Sequence, residues 1–313
     1  GANAQEFIRT AVPKAIYKST ATDLLINQQK VADAYRDLNE VYTLDFTDAR
    51  TKSLSQGLTQ DAAKVVSKGE FVDYANEQAI HDLLALRPEV LTVKLPFKGE
   101  ILVVDLVQAD LFGENFLVNS NNPEMVTGVK TGLYYQGTIR GENAVVGFSF
   151  FEDEFNALIS TDRVADRIIE TGRMEDHGRT HIIYSDDDLL VDVHYSCGSE
   201  ALNQYNEAVE ELAKEDHKQQ AIEKATYKCV TYFWETSYNM YQSKGTTQAV
   251  TNYMTSLFNN FQLLYNNEQI GSKLNQLYIW TTADSYNNSL DTYSANRSNF
   301  GANLATLFST TGG

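Results

Sequence analysis

The chain has 313 residues, 42% hydrophobic and 11% aromatic, enough to bury a substantial core in one large domain or two smaller ones. Its 25 basic residues against 42 acidic ones give a formal charge of −17. That balance excludes nucleic acid and anionic membranes as natural partners, since both reward clustered Lys and Arg. No apolar run approaches the length of a membrane span, so the sequence reads as a soluble protein.

The first residues, Gly1-Ala2-Asn3-Ala4-Gln5, resemble the tail of a signal-peptidase site, and the expectation is a secreted protein whose signal peptide has been removed. Residues 1–89 read mostly as helix and polar connection. Ala75, Ile80, Leu83 and Leu84 fall at helical spacing there, and Pro88 closes the segment. From 90 to 199 the pattern is β-rich: "LTVKLPF", "ILVVDLVQADLF", "GLYYQGTIRG", "NAVVGFSFF", "FNALIS" and "RTHIIYS" are short runs separated by Gly, Asn and Asp, as in an antiparallel β domain. Residues 200–225 are charged, helix-favouring and poor in apolar area, which suits an exposed connector open to proteases. Over 226–313, "YKCVTYFWE" reads as a strand, and the helix after Gly245 places Val250, Met254, Leu257, Phe258, Phe261, Leu264 and Tyr265 on one face. "KLNQLYIWTT" is the next strand and "NRSNFGANLATLF" a second helix. This β-α-β-α order predicts a parallel sheet with helical crossovers, and the whole chain an α+β fold.

Few residues offer chemistry. His177 and His181 in "HGRTH" have the i, i+4 spacing of a zinc helix, but Gly178 stands where the general-base Glu belongs and Thr180 leads into a β run. Both histidines are expected in a solvated loop. His81, His194 and His217 form no ligand spacing. "SDDDLL" lacks the alternating ligands and glycine of a calcium loop and reads as a solvated turn. There is no nucleophile elbow, P-loop or dinucleotide fingerprint. Motifs alone identify no enzyme in this chain.

Two longer stretches carry a resemblance. Residues 133–160, "LYYQGTIRGENAVVGFSFFEDEFNALIS", and 227–282, from "YKCVTYFWE" to "KLNQLYIWTT", are similar in order and spacing to the prodomain and the opening of the catalytic domain of reprolysin-like (adamalysin-type, metzincin) zinc metallopeptidase precursors. The resemblance implies a propeptide made of a helical N-terminal part (1–89) and a β-rich core (90–199). The connector (200–225) and the incomplete first β-α-β-α portion of a metzincin-like α/β catalytic domain (226–313) would follow. It also implies that the parent protein is a secreted zinc metalloendopeptidase acting on protein substrates, with its own prodomain as intramolecular inhibitor. The zinc motif would lie beyond residue 313, so this chain holds neither zinc nor catalytic residues. Cys197-Gly198 falls where the family places the thiol that caps the metal and keeps the enzyme latent. Cutting the connector would then let the prodomain leave. The chain departs from the family at Leu133 and Glu152, where a cysteine pair is common, and at His194-Tyr195-Ser196, where basic residues are common.

Cys229 leaves an alternative open: in an exported protein Cys197 and Cys229 could be bonded, closing the connector as a loop worth about 2–4 kcal/mol. Half a parallel sheet would also expose an edge and an uncovered apolar face, so residues 226–313 are expected to lean on the prodomain or, by self-association, on a second copy. The rival to the peptidase reading is a non-catalytic secreted protein- or glycan-binding protein of related descent, its 18 Tyr and 2 Trp furnishing a stacking surface, although Tyr134, Tyr135, Tyr278 and Trp280 alternate in strands where half would be core. A third option is an inhibitor-like prodomain acting in trans.

Overall fold

The computed structural model describes residues 8–17, 25–49, 56–174, 178–190, 228–286 and 289–310. The chain is of mixed α and β structure and divides into two compact units. One comprises residues 1–111, 130–192 and 252–268; the other comprises 112–129, 193–251 and 269–313. The first is called the barrel unit and the second the sheet unit. Among the described residues no helix is long and apolar enough to cross a membrane.

In the barrel unit, nine strands close on themselves: β2 (Glu40–Asp48), β3 (Glu70–Tyr74), β4 (Val90–Phe97), β5 (Glu100–Gln108), β7 (Leu133–Ile139), β8 (Ala144–Phe150), β9 (Phe155–Thr161), β10 (Ile168–Arg173) and β11 (His181–Ser185). Their order is β2-β3-β11-β10-β9-β8-β7-β5-β4, and β4 returns to β2. That closing pair is parallel; its neighbours are antiparallel. A short β1 (Arg9–Ala11) adds to β2. Closure leaves the ring no open edge.

Alternation explains which way each strand faces. Leu91, Val93, Leu95 and Phe97 of β4 point inward with Leu102, Val104 and Leu106 of β5, and Phe148 and Phe150 of β8 join them in one core. The β4–β5 hairpin turns on Lys98 (φ 49°) and Gly99 (φ 81°), the double positive φ of a two-residue turn that follows the strand twist. Helix α4 (Gln78–Leu86) adds Ile80 and Leu83 to the same core. Outside the ring, α1 (Lys14–Tyr17) and α2 (Ile26–Arg36) pack Tyr17, Val31, Ala32 and Tyr35 together with Val41. The helix α3 (Gln56–Val65) contributes Ala62 to a smaller cluster with Phe71 and Ile182.

The sheet unit is a four-stranded parallel sheet, ordered β14-β12-β13-β6. Its strands are β6 (Phe112–Ser120), β12 (Lys228–Thr236), β13 (Ile270–Ile279) and β14 (Leu304–Phe308). Between β12 and β13 the chain forms α5 (Tyr238–Lys244) and α6 (Thr247–Asn267); between β13 and β14 it forms α7 (Leu290–Asn296). Tyr232, Phe233 and Trp234 are buried in succession, as expected for a strand covered on both faces.

The structure departs from sequence expectation in four places. Among its described residues the segment 1–89 holds three strands, two of them barrel members: Leu44 and Phe46 of β2 enter the barrel core, and Val41 packs with Tyr17 and Tyr35 on the other face. The run "ILVVDLVQADLF" is not one strand: β5 ends at Gln108, and β6 starts at Phe112 in the other unit. The second helix expected over 296–308 is instead α7 followed by β14, with Gly301 at φ 66° turning the chain between them. Finally, the buried face of α6 is rotated from the apolar stripe. Val250, Met254 and Phe258 are buried, but Leu264 and Tyr265 are exposed, and Thr251, Thr255, Asn259, Gln262 and Asn266 are buried.

That last departure has a hydrogen-bonding cause. Within the barrel unit, Asn259 Nδ2 donates to the carbonyls of Tyr135 and Phe148 at 3.1 Å each, and Gln262 Nε2 donates to Asp110 O at 2.9 Å. Gln136 Nε2 donates back to Asn259 Oδ1 (3.1 Å) and Gln262 Oε1 (3.0 Å). Amides reaching backbone carbonyls outcompete leucines here because a buried carbonyl without a donor is costly. At Gly147 a Cβ would stand 2.1 Å from Asn260 Oδ1, so a side chain there would make the Asn260 amide shift.

Candidate functional site

In open sheets with parallel strands, ligands bind beyond the carboxyl ends of the strands. In the sheet unit those ends carry a concentrated polar cluster. Glu235, the penultimate residue of β12, is fully buried. Its Oε1 accepts hydrogen bonds from Trp280 Nε1 (2.6 Å), Tyr286 OH (2.8 Å) and an Arg297 terminal nitrogen (2.8 Å), and its Oε2 accepts from Arg297 Nε at 2.9 Å. Trp280 follows β13, Tyr286 lies in the connection to α7, and Arg297 caps the end of α7. One carboxylate therefore ties three successive chain segments to β12. The Arg297 guanidinium also lies over the ring of Tyr278 at 4.8 Å and that of Phe233 at 5.4 Å.

Burial, then the neighbouring Glu235 carboxylate, pushes the Tyr286 hydroxyl up to about 12, and the same two causes raise Tyr293. Both phenols therefore stay protonated, and Tyr286 can only donate to Glu235. Three donors thus converge on Oε1 and one on Oε2, and the cluster fixes the backbone of the segments that carry them. Among the described residues, two buried oxygens beside it, Thr236 Oγ1 and Tyr293 OH, have no hydrogen-bond partner.

The barrel unit has a comparable cluster. Asp105 points out of the ring from β5, opposite in sense to Val104 and Leu106, and is fully buried. Arg140 grips it bidentately at 2.7 and 2.8 Å, Thr92 donates at 2.8 Å, and Tyr17 hydrogen-bonds its second oxygen. Burial, then Asp105, raises the Tyr17 hydroxyl, and burial raises that of Tyr35.

His181 is not in a solvated loop. It sits in β11 with no exposed surface, stacked on Phe155 at 4.0 Å. Its Nε2 accepts from Phe155 N at 3.1 Å and its Nδ1–H donates to Arg179 O at 2.7 Å, so both ring nitrogens are spent on backbone. Burial lowers its pKa to about 4. His177, His194 and His217 lie outside the described residues, and His81 is exposed on α4. In the "SDDDLL" turn, Asp188 lies 3.6 Å from Lys98 Nζ, while Asp186 and Asp187 are exposed.

Cys197 and Gly198, the candidate inhibitory pair, lie outside the described residues, and the Cys197–Cys229 pairing therefore does too. Cys229 is exposed at the start of β12, the opposite end from Glu235. Tyr134 and Tyr135 are buried at 3% and 0% exposure, which removes these two from a sugar-stacking surface, whereas Tyr278 and Trp280 are half-buried. Among the described residues no three His, Cys, Asp or Glu side chains are grouped to hold a metal ion, so a zinc ion finds no ligand set in them.

The sequence reading did not find the Glu235 and Asp105 clusters. The signal present was a lone carboxylate inside an apolar run, "VTYFWET" and "ILVVDLV", since an unpaired buried charge is rarely tolerated. No family model matches the sequence, and no curated protein matches it.

Proposed function

We propose that the chain is the propeptide and the first part of the catalytic domain of a secreted zinc-dependent metalloendopeptidase, held latent. The observation that carries this reading is the sheet unit: parallel strands in the order β14-β12-β13, built from 226–313 with helices in both connections. The strand, helices and strand over 228–279 are the kind of order that the resemblance of 227–282 leads one to expect, with β14 ending where a second helix was expected. In this reading residues 1–111 and 130–192 supply the propeptide barrel, and the metal ligands and catalytic Glu belong to sequence outside 1–313. Protein chains are the parent's substrates. Cys197-Gly198 is the candidate for maintaining latency. As terminal strands of the sheet, β14 and β6 are the places for self-association.

The test is the natural gene and its full product. A helix carrying two histidines four residues apart, encoded within a few tens of codons after Gly313, is expected. So is one bound zinc per full-length chain, and peptide hydrolysis that rises after cleavage within 200–225. A gene that continues without paired histidines, or a full-length protein that binds no zinc, overturns the reading.

A further inference from the structure

We infer that the two units exchange chain segments, so that a cut between residues 191 and 227 leaves the halves locked together and a separate withdrawal step parts them. The inference needs only the topology. It bears on the proposed peptidase because cleavage of the connector would be necessary for activation but not sufficient.

The sequence before such a cut supplies β6 to the sheet unit, although β5 and β7 on either side of it belong to the barrel unit. β6 runs parallel to β13, pairing Phe112 with Leu274 and then Leu117 through Ser120 with Gln276 through Ile279. Gly113 lies against the Asn275 side chain there, and a Cβ would stand 2.2 Å from Asn275 Oδ1. Beyond the strand, Asn121 Oδ1 accepts from Thr281 N at 2.8 Å and its Nδ2 donates to Thr282 Oγ1 at 2.7 Å. Thr247 Oγ1 donates to Met125 O at 2.6 Å.

The sequence after the cut makes the reciprocal gift. Residues 252–268, most of α6, belong to the barrel unit. Besides the Asn259 and Gln262 bonds described above, Asn252 Nδ2 donates to Glu154 Oε1 at 2.7 Å, and Asn156 Nδ2 donates to Ser256 Oγ at 3.2 Å. At the far end Asn27 N donates to Asn267 Oδ1 at 3.0 Å. Each fragment is thus built into the unit formed mainly by the other. Separation must strip β6 from β13 and 252–267 from β7, β8 and α2, and neither set of bonds is touched by a cut elsewhere.

A protease recognition sequence inserted between Lys214 and Glu215 of the 313-residue chain provides the test. After complete cutting, verified on a denaturing gel, size exclusion with light scattering in plain buffer should give one species with the mass of the uncut chain and both fragments present. In urea the fragments should part only as the fold is lost. Asn259→Leu leaves the Tyr135 and Phe148 carbonyls without that donor, and Leu117→Pro removes a strand amide; each should speed exchange of the labelled N-terminal fragment about tenfold. Where the inserted site resists the protease, the two fragments co-expressed from separate frames, with a tag on the first only, ask the same question. Two separate fragment peaks at micromolar protein, or failure of the tagged fragment to retain its partner, overturns the inference. Because no readout depends on zinc or hydrolysis, loss of the peptidase reading would leave this result standing, and the reverse holds as well.

Discussion

Replacing Arg297 with Met removes the only cation bonded to Glu235 among the described residues, and the cost follows from burial. Glu235 is fully buried. The substitution takes away the 2.9 Å bond to Oε2 and the 2.8 Å bond to Oε1, leaving Trp280 and Tyr286 to satisfy Oε1 alone. Stripping one partner from a buried ion pair costs about 3–5 kcal/mol, because the remaining charge stays out of water without compensation. Loss of the guanidinium from the faces of Tyr278 and Phe233 adds about 0.5–1 kcal/mol. At a urea slope of about 2 kcal/mol per molar, the midpoint should fall by roughly 2–3 M. Tryptophan fluorescence is the assay, because both tryptophans, Trp234 and Trp280, lie in the sheet unit. A Glu235→Gln/Arg297→Met double variant should recover much of the loss, since no charge is left stranded. A single-variant effect below about 1 kcal/mol, the value of an exposed pair, would refute the buried-charge argument. So would a double variant no more stable than the single one.

Other predictions follow from the barrel unit. Burial lowers the folded-state pKa of His181 from 6.5 to about 4. Its contribution is therefore complete above about pH 6.5 and is lost as pH falls through about 4, a total of about 3 kcal/mol. A urea-midpoint series over that range should show the slope, and His181→Gln should flatten it. Gly137→Ala places a Cβ 2.0 Å from Asp105 O and 3.0 Å from Leu106 Cα, both backbone atoms. It should force β5 from β7 and lower the barrel's thermal midpoint by several degrees, the scale of an overpacking cost of about 1–3 kcal/mol. Tyr17→Phe deletes a donor to the charged Asp105 and should cost about 1.5–3 kcal/mol by chemical denaturation, with the secondary-structure spectrum unchanged.

Local pattern reached the elements whose environment is simple. "LTVKLPF" alternates Leu91, Val93, Leu95 and Phe97 against polar or half-exposed neighbours, and it is strand β4. "YKCVTYFWE" carries three successive apolar residues, Tyr232 to Trp234, as a doubly covered strand does, and it is β12. Periodicity went wrong where hydrogen bonds decide. Leu264 and Tyr265 extend the apolar stripe of α6, yet Asn259 and Gln262 take the inside because carbonyls of the strands and of Asp110 need donors. The Glu235 cluster was out of reach for another reason. Its partners lie 45, 51 and 62 residues along the chain, and no spacing rule brings Trp280, Tyr286 and Arg297 to one carboxylate. Nor does anything in "FGENFLVNS" announce a partner strand that begins at Ile270.

The exchanged segments also impose an order of formation. Every ring strand lies between Glu40 and Ser185, so the barrel can close before the sequence of β12 and β13 exists on a growing chain. During that interval β6 has no strand to pair with, and an unpaired apolar strand invites aggregation. Its composition answers the hazard: Gly113, Glu114, Asn115 and Asn119 interrupt Phe112, Phe116, Leu117 and Val118, a pattern of gatekeepers within a necessary strand. The later-arriving 252–267 segment docks through Asn252, Ser256, Asn259 and Gln262. Each such bond contributes only about 1 kcal/mol net, because water satisfies the same groups before docking. A face made this way stays soluble while it waits, and its bonds can be exchanged for water one at a time. An interface of leucines would offer neither property. The polar inner face of α6 is thus suited to a junction that forms late and can be undone.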